Sequence, residues 1–383
     1  MIRRLGASRL ALIVVAALAV AVAATPLTID ADSAAPLVIV GGTLVDGTGR
    51  QPRSNPVIVI RDGRLVTAAA GADSIPADGR RIEANGKWII PGLIDMHVHY
   101  YEWMGQLFVR HGVTTVWDVG NNLDRILELR RQSRNPDAPR PRIFTCGPLI
   151  DGPLPRHGTG ISVSVSTEAE ARNVARQLIA RDVDCLKVYE QLTPGLVRAI
   201  AEEASRARIP VTAHLRDTTA MTALEAGVTG LEHALGFDAC DEREAADVAR
   251  VLVARNTYVV PTLVVLDPLG PRLACLKRFI GRLRQAGGRV VAGSDTANLR
   301  PRPGVLLHRE LELLVEAGLS TREALMAATS VAAGLLGQSA SLGTIEPGKT
   351  ADVVIVRGDP LASIAEIRNI EVVIRDGRVV WTR

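Results

Sequence analysis

The chain has 383 residues, of which 47% are hydrophobic and 3% are aromatic, so it is long enough for one large domain and one small domain. Its formal net charge is +4, and three of the positive charges belong to Arg3, Arg4 and Arg9 near the N-terminus. Because the rest of the chain has no cluster of basic residues and few aromatic side chains, the composition argues against a nucleic-acid partner.

The first residues of the chain have the pattern of an export signal. "MIRRLGASR" is short and positively charged, "LALIVVAALAVAVA" is apolar, and Ala21-Val22-Ala23 offers a cleavage site between small residues. We therefore predict a signal peptide over residues 1–24 and a protein exported to the periplasm or secreted. The apolar run is short for a membrane-spanning helix, and an uncleaved membrane anchor is the alternative.

Two distant segments of the chain are nearly identical. "VIVIRDGRLV" covers residues 57–66 and "EVVIRDGRVV" covers residues 371–380, and each places an Asp-Gly turn between two β-rich runs. This is the signature of a β-hairpin, whose apolar face needs a partner. We predict one small β-sandwich built from both termini, over residues 36–90 and 344–383. Two unrelated surface hairpins are the alternative.

The region between the hairpins, residues 91–343, alternates strand-like and helix-like segments. "GVTTVWDVG" precedes helical "NNLDRILELRRQSR", for example, and "IPVTAHL" precedes "TTAMTALEAG". About eight such units follow one another in roughly 250 residues, which is the size of a (β/α)₈ barrel. An open doubly wound sheet is the alternative, but no glycine-rich nucleotide fingerprint follows any strand.

The four cysteines do not follow a metal-binding pattern. Cys146, Cys185, Cys240 and Cys275 lack CxxC or any other metal-finger spacing. We expect them to be buried apolar side chains rather than a disulfide framework.

The stretch "WIIPGLIDMHVHYYEW" places two of the seven histidines, His97 and His99, two residues apart behind an apolar run. Side chains two apart in a strand point to the same side, about 7 Å apart along the chain, so both rings can reach one ion. In a barrel, function lies at the carboxyl ends of the strands. The residues with ligand chemistry at these ends are His97, His99, Lys187, His214, His233 and Asp295.

Lys187 is one of only four lysines in the chain, and it lies inside an apolar strand. A buried ammonium costs several kcal/mol unless it is neutralised. A primary amine can react with CO₂ to give a carbamate, an anionic ligand whose two oxygens can bridge two cations. The alternative is a lysine at the end of a strand whose ammonium reaches solvent.

Several motifs in the order "PGLIDMHVHY", "DCLKVYE", "VTAHL", "GLEHA", "VVAGSD" and "LGTIEPGKTADVVIV" resemble the amidohydrolase superfamily. The resemblance covers nearly the whole chain after the leader. It is closest to the binuclear group with a carbamylated lysine, and within it to the imidazolonepropionase-like and Xaa-Pro-dipeptidase-like hydrolases, including ochratoxin-type amidases. It implies a metal-dependent hydrolase with a distorted barrel and a terminal β-sandwich.

The resemblance also implies roles for individual residues. His97, His99 and Asp295 would bind one divalent ion, His214 and His233 would bind a second, and carbamylated Lys187 would bridge them together with a hydroxide. Neutral imidazoles and carboxylates suit Zn²⁺, which is the metal that we expect. A paired site can lower the pKa of its water to near neutral. Asp295 would accept the proton of the hydroxide and pass it to the leaving amine.

Two further residues are candidates for substrate contacts. Tyr189 lies two residues beyond Lys187, so it shares the same face of the strand and could donate a hydrogen bond to a substrate carbonyl or carboxylate. A barrel-filling aromatic side chain is the alternative. His157 lies in the loop "DGPLPRHGTG" after the third strand and could line the pocket, unless that loop is merely solvated.

The leading hypothesis is an exported amidase or dipeptidase that uses a metal-bridged hydroxide on a small substrate, either a dipeptide or an N-acyl amino acid. A lactonase or esterase would use the same site. A mononuclear deaminase usually needs a Glu near the ligand on the fifth strand, and "VTAHLRD" supplies none. A non-catalytic binding protein is less consistent with a full ligand set. The glycine-rich stretch that prolidase-like members have after the lysine is replaced by "VYEQLTPG". The sequence is compatible with a homo-oligomer.

Overall fold

The computed structural model describes residues 35–70, 75–158, 160–266, 270–297 and 302–383. The predicted signal peptide lies outside these residues. Within the described ranges, no helix combines the length and the hydropathy that a membrane span requires.

The two ends of the chain form two mostly antiparallel sheets. The four-stranded sheet has the order β5-β4-β1-β6, and the six-stranded sheet has the order β20-β19-β18-β7-β2-β3. Their strands are β1 (Leu37–Val40), β2 (Thr43–Leu44), β3 (Arg53–Ser54), β4 (Pro56–Arg61), β5 (Arg64–Ala70), β6 (Arg80–Glu83), β7 (Trp88–Pro91), β18 (Val353–Val356), β19 (Ile370–Arg375) and β20 (Arg378–Thr382).

The repeated segments form the two hairpins that the sequence predicts, β4–β5 and β19–β20. Both turns have left-handed backbone at Asp and Gly, with φ of 50° and 74° at Asp62 and Gly63 and 49° and 76° at Asp376 and Gly377. These are the dihedrals of the two-residue turn that Asp-Gly favours. The hairpins belong to different sheets, yet residues of both sheets share one buried apolar cluster.

The central strands are parallel and form a three-stranded and a seven-stranded sheet, with the orders β10-β9-β8 and β12-β11-β13-β14-β15-β16-β17. Their strands are β8 (Leu93–Val98), β9 (Val113–Asp118), β10 (Arg142–Thr145), β11 (Leu149–Asp151), β12 (Ser162–Ser164), β13 (Leu186–Val188), β14 (Val211–Ala213), β15 (Gly230–Glu232), β16 (Tyr258–Val260) and β17 (Arg289–Val290).

The third predicted strand, "RIFTCGPLI", is interrupted. It ends as β10 at Thr145 and resumes as β11 at Leu149, because Gly147 has a φ of 70° and is followed by a proline that cannot donate a backbone hydrogen bond. This interruption separates the two parallel sheets. At the other end, the segment after β17 is bonded to β8, with Met96 N donating to Ala292 O at 3.0 Å.

Helices alternate with the parallel strands, as the sequence predicts. They are α1 (Gly105–Arg110), α2 (Leu123–Ser133), α3 (Glu168–Ala180), α4 (Pro194–Ala207), α5 (Ala220–Glu225), α6 (Glu242–Ala254), α7 (Pro271–Gln285), α8 (Val305–Glu316), α9 (Thr321–Ala327) and α10 (Ser330–Leu335). Helix α3 shows why these segments are helical. It begins at a capping box of Thr167 and Glu170, and it buries Ala171, Ala175 and Leu178, which lie on one face.

The expectation for the cysteines is wrong. Cys146 is bonded to Cys185, and Cys240 is bonded to Cys275. The partners lie 39 and 35 residues apart in sequence, so local spacing gives no sign of them. The fold brings the Cα atoms within 4.4 Å and 5.0 Å, because Cys146 follows β10 and Cys185 precedes β13, while Cys275 lies on α7.

Candidate functional site

The two histidines at the carboxyl end of β8 are held by hydrogen bonds through the same ring nitrogen. His99 Nδ1 lies 2.8 Å from the carbonyl oxygen of Gly120, and His97 Nδ1 lies 2.6 Å from Glu232 Oε2. A carbonyl oxygen can only accept, so His99 Nδ1 carries the proton of the ring and its Nε2 keeps a lone pair. A carboxylate partner has the same effect on His97. Both rings therefore present an acceptor nitrogen on the other side.

Those acceptor nitrogens face Asp295. Its Oδ1 lies 3.4 Å from His97 Nε2 and 3.6 Å from His99 Nε2, and one ligand atom from each of the three residues lies within 4.8 Å of the others. Asp295 has a left-handed backbone with a φ of 51°, and its amide donates to the carbonyl of His97 at 2.8 Å. Such a conformation in a non-glycine residue is kept only where the surroundings impose it, and it is common at functional sites.

The buried side chain of Asp95 holds the segment around Asp295 in place. Asp95 Oδ1 accepts from the amides of Ser294 at 2.9 Å and His97 at 3.3 Å, and its Oδ2 accepts from the hydroxyl of Ser294 at 2.6 Å. Burial raises the pKa of Asp95 to about 7. Asp95 therefore ties the residue before Asp295 to the strand that carries His97.

His233 and His214 extend the site. The ring centroid of His233 lies 4.7 Å from that of His97 and 4.6 Å from that of His214. His233 has a φ of 57°, and its Nδ1 lies 2.5 Å from the hydroxyl of Thr262, which has a φ of 45°. The left-handed backbone at His233 ends the strand and turns its ring towards the other histidines.

The environment keeps these imidazoles neutral. Burial lowers the pKa of His97 and His233 well below the usual range, and it lowers the pKa of His214 to about 3. The charge of Lys187 adds to the lowering at all three. Neutral imidazole is the form that binds metal ions.

Lys187 lies in β13 with its side chain 1% exposed. Its Nζ lies 3.5 Å from Glu232 Oε1, and it makes no hydrogen bond within the described part of the chain. Burial lowers the pKa of Lys187. The alternative of an ammonium that reaches solvent is therefore wrong, because this side chain is enclosed.

Tyr189 and His157 lie at the same site. Tyr189 Oη is 3.0 Å from His157 Nε2, and the Tyr189 ring centroid is 4.6 Å from that of His214. Burial raises the pKa of Tyr189, so its hydroxyl keeps its proton and can donate. Successive ring contacts join six of the predicted site residues into one row, in the order His99, His97, His233, His214, Tyr189 and His157.

Sequence reasoning missed two carboxylates. Glu190 is 5% exposed, and its Oε1 lies 3.6 Å from His214 Nε2, while Arg216 and Arg156 donate to it at 2.8 Å and 3.3 Å. The stretch "VTAHLRD" itself contains no Glu, but Glu190 lies near the fifth-strand ligand in space. Glu190 comes from the preceding strand segment, "KVYE", so a search around "VTAHLRD" does not find it.

The second missed carboxylate is Glu232, which contacts His97 and lies next to Lys187. It directly precedes His233 in "GLEHA", and strand alternation would place the two side chains on opposite faces. The sequence pattern alone does not show that His233 has left-handed backbone, which ends the strand alternation at this point.

The donor set fits a divalent metal ion of the zinc type. The three convergent groups are two imidazole nitrogens and one carboxylate oxygen. Zn²⁺ takes such ligands, and a catalytic site leaves a position for water or substrate. The buried amine of Lys187, without a hydrogen bond among the described residues, is consistent with a group that becomes a ligand only after modification.

Comparisons with known proteins identify the family. Residues 88–380 match the model of the amidohydrolase family. An imidazolonepropionase from Rhizorhabdus wittichii is 25% identical over 376 residues, which cover 81% of this chain and 90% of that protein. The crystal structure of a putative prolidase from Bifidobacterium longum is similar, with a TM-score of 0.79 and 28% identity over 91% of this chain and 95% of that chain.

A more local similarity involves an uncharacterized protein from Mycobacterium bovis, which is 41% identical over 85 residues. That match covers 21% of this chain and 14% of that protein. The family model, by contrast, spans both the parallel strands and the C-terminal sheet. The chain belongs to the amidohydrolase family, a family of hydrolases that act on carbon–nitrogen bonds.

Proposed function

We propose that the protein is an exported metal-dependent hydrolase that cleaves an amide or peptide C–N bond of a small substrate, either a dipeptide or an N-acyl amino acid. One observation carries this proposal. His97, His99 and Asp295 bring their ligand atoms within 4.8 Å of one another, and hydrogen bonds at Nδ1 leave both Nε2 atoms facing Asp295.

The site would bind two divalent ions, with Zn²⁺ as the expected metal. His97, His99 and Asp295 would bind one ion and His214 and His233 the other, with Lys187 between them as a carbamate. The lowered pKa of Lys187 supports this, because the neutral amine is the form that reacts with CO₂. That reaction forms one N–C bond and releases one proton. When bound, the ions supply Lewis acidity, which lowers the pKa of water and polarises a carbonyl.

The protein's own residues would orient the substrate and move the proton. Asp295 would accept a proton at its carboxylate and deliver it to the leaving amine, because it faces both histidines from the end of the parallel strands. Tyr189 would donate a hydrogen bond to a carbonyl or carboxylate of the substrate. His157, 3.0 Å from the Tyr189 hydroxyl, would fix the direction of that bond.

Two exposed arginines beside the site would offer donors to a substrate with a carboxylate. Arg156 and Arg216 have side chains that are 61% and 54% exposed, and both share Glu190 as a partner. Arg216 also pairs with Asp217 at 3.1 Å. Guanidinium binds carboxylates well, so the exposed parts of both side chains would offer donors to a substrate carboxylate. The similarity to a protein named an imidazolonepropionase and to a putative prolidase supports an amide as the scissile bond.

The two disulfides support export, because such bonds form and persist in oxidising compartments. They agree with the leader pattern of residues 1–24. The expected test result is a mature N-terminus near Ala24. Full-length chain that stays soluble in the cytoplasm would contradict the proposal.

The finer architecture also belongs to this proposal. The three-stranded and seven-stranded parallel sheets would be parts of one distorted eight-stranded barrel over residues 91–343, in which β10 and β11 count as one interrupted strand and β12 is an additional edge strand. Backbone bonds that join β8 to the segment after β17 support this. The four- and six-stranded sheets would form a β-sandwich over residues 36–90 and 344–383. The apolar cluster that both sheets share supports it.

The direct test combines metal analysis with a substrate panel. Purified protein should contain about two divalent ions per chain, and chelation should abolish hydrolysis of dipeptides or N-acyl amino acids. Lys187→Ala should lower both metal content and turnover, and short carboxylic acids should restore part of the activity. Active protein with no divalent ion, or a fully metallated and active Lys187→Ala variant, would overturn the proposed site.

A mononuclear deaminase is the second candidate, because Glu190 lies 3.6 Å from His214 and supplies the carboxylate that such a reaction uses. Release of ammonia with a single ion per chain would favour it. Hydrolysis of lactones but not amides would indicate a lactonase.

A further inference from the structure

Glu232 touches residues assigned to both proposed ions. Its side chain is fully buried, and its Oε2 lies 2.6 Å from His97 Nδ1. Its Oε1 accepts a hydrogen bond from the hydroxyl of Thr212 and lies 3.5 Å from Lys187 Nζ. One carboxylate therefore connects side chains from strands β8, β13 and β14 at the end of β15.

The backbone explains how Glu232 reaches this position. It is the last residue of β15, and His233 and Ala234 that follow have φ values of 57° and 47°. In a regular strand, residues 232 and 233 would point to opposite faces. The left-handed turn at His233 instead lets both consecutive side chains approach His97, one through its carboxylate and one through its ring.

We infer that Glu232 is a positioning residue that orients His97 for metal binding, with Thr212 fixing the carboxylate. By accepting the Nδ1 proton, Glu232 holds the His97 ring so that Nε2 faces Asp295 and His99. The inference rests on the proposed metal site and adds a residue to it. Glu232 itself binds no metal in this assignment.

His97 differs from His99 and His233 in the charge of its Nδ1 partner. His99 Nδ1 donates to a neutral carbonyl, and His233 Nδ1 pairs with a hydroxyl, whereas His97 Nδ1 pairs with a carboxylate. Charge-assisted hydrogen bonds are shorter and stronger than neutral ones, and a carboxylate partner makes the opposite nitrogen a better ligand. Loss of the Glu232 charge should therefore weaken the ion that His97 binds.

The first experiment compares Glu232→Gln with Glu203→Gln. Glu203 is also buried, at 6% exposed, but it lies on α4 and accepts from Arg206. Competition with a chelator should show Zn²⁺ bound roughly 10–100-fold more weakly by Glu232→Gln, with a lower kcat and a nearly unchanged KM. Glu203→Gln should match the parent in all three. Parent-like Zn²⁺ affinity and kcat in folded Glu232→Gln would overturn the inference.

Thr212 provides a second pair of variants in case Glu232→Gln fails to fold. Thr212→Val removes the hydroxyl that donates to Glu232, and Thr212→Ser keeps it. Zn²⁺ affinity should fall several-fold in Thr212→Val and return to the parent value in Thr212→Ser. Equal affinity in the two variants would contradict the role given to Glu232 and Thr212.

A metal-free measurement separates this inference from the proposed function. ¹⁵N NMR of histidine-labelled, metal-free protein should find the His97 proton on Nδ1, and Glu232→Gln should change the ¹⁵N shifts of that ring. A His97 proton on Nε2 in the parent would overturn the inference. Parent protein that binds no Zn²⁺ would instead overturn the proposed metal site, whatever the tautomer.

Discussion

Two polar clusters lie at opposite ends of the same parallel strands, and they are satisfied in different ways. The carboxyl-end cluster consists of His97, His99, Lys187, His214, His233 and Asp295. The amino-end cluster consists of Arg142, Asp352, Arg375 and Asp376, where β10 begins and the second hairpin turns.

In the amino-end cluster, cations are matched by nearby acceptors. Arg142 donates to Asp352 at 2.7 Å and also to Asp376. Arg375 is fully buried and pairs with Asp376 at 3.0 Å, while its Nε makes no hydrogen bond within the described residues. It also donates to three carbonyls at the end of α2 and in the loop after it, those of Ser133, Asn135 and Ala138. Buried charges with such partners hold elements together, and removing one partner is costly.

In the carboxyl-end cluster, burial leaves the imidazoles of His97 and His233 neutral. The acceptor atoms of His97 and Asp295 face one another. A bound cation would therefore stabilise the carboxyl-end cluster, whereas the charged groups of the amino-end cluster are already paired with other groups of the chain. We therefore expect substitutions at the carboxyl end to change metal binding and turnover, and substitutions at the amino end to change the free energy of unfolding.

The largest effect should come from Asp295→Asn. Loss of the proton-accepting carboxylate should lower turnover by about 10²–10⁴-fold, the usual contribution of general acid–base catalysis. The unfolding free energy should change little, and much of the metal should stay bound. The measurement is kcat of the metal-loaded variant, with Asp62→Asn in the exposed hairpin turn as the control. A metal-loaded variant near the parent rate would refute the role of Asp295.

Arg375→Met should have the next largest effect, on stability. It removes the donor of three carbonyls and one of the two guanidinium partners of Asp376, and breaking a buried pair costs about 3–5 kcal/mol. Arg61→Met is the matched control, because Arg61 holds the same place in the first hairpin but is exposed, so its loss should cost under about 0.5 kcal/mol. Denaturant unfolding measures both, and equal losses would remove the distinction between the two hairpins.

Glu310 belongs to neither cluster. It tests how a single buried acid changes the free energy of unfolding with pH. It is fully buried on α8 with Oε2 accepting from the amide of Val264 at 2.8 Å, and burial raises its pKa from 4.5 to about 8. A raised pKa means that the folded state binds the proton more tightly than the unfolded state. The stability from this group is therefore full below about pH 4.5 and is lost as the pH rises through about 8.

The parent should lose stability between these pH values with a slope of up to about 1.4 kcal/mol per pH unit from this group. Glu310→Gln should reduce that slope, as measured by denaturant unfolding at several pH values. An unchanged slope would show that Glu310 does not hold a proton in the folded protein.

The smallest effect concerns the glycines of the two hairpin turns. A Cβ at Gly377 would lie 2.7 Å from the Cα of Gly63, and a Cβ at Gly63 would lie 3.0 Å from the carbonyl oxygen of Asp376. Gly86 has a φ of 71° with nothing within 4 Å, so Gly86→Ala isolates the conformational cost of left-handed backbone, about 1–2 kcal/mol. Gly377→Ala should cost more than Gly86→Ala in thermal or denaturant unfolding. Equal costs would mean that the two turns do not pack closely against each other.

Local patterns in the sequence determined much of this protein. Asp-Gly between β-rich runs specifies the same left-handed turn at residues 62–63 and 376–377. The helix of α3 follows from its capping box and apolar spacing. The spacing of His97 and His99 places both on one side of the chain at the carboxyl end of β8, so a candidate site there could be recognised from the sequence alone.

Tertiary structure decided the features that depend on contacts between distant segments of the chain. Arg61 and Arg375 occupy equivalent places in nearly identical segments, yet only Arg375 is buried, because the end of α2 and the loop after it cover this side chain. The cysteine pairs and the carboxylate of Glu232 meet their partners across 35 to 135 residues of sequence. Local propensity acts over a few neighbouring residues, whereas burial, pairing and the pKa of a side chain depend on which distant groups share its surroundings.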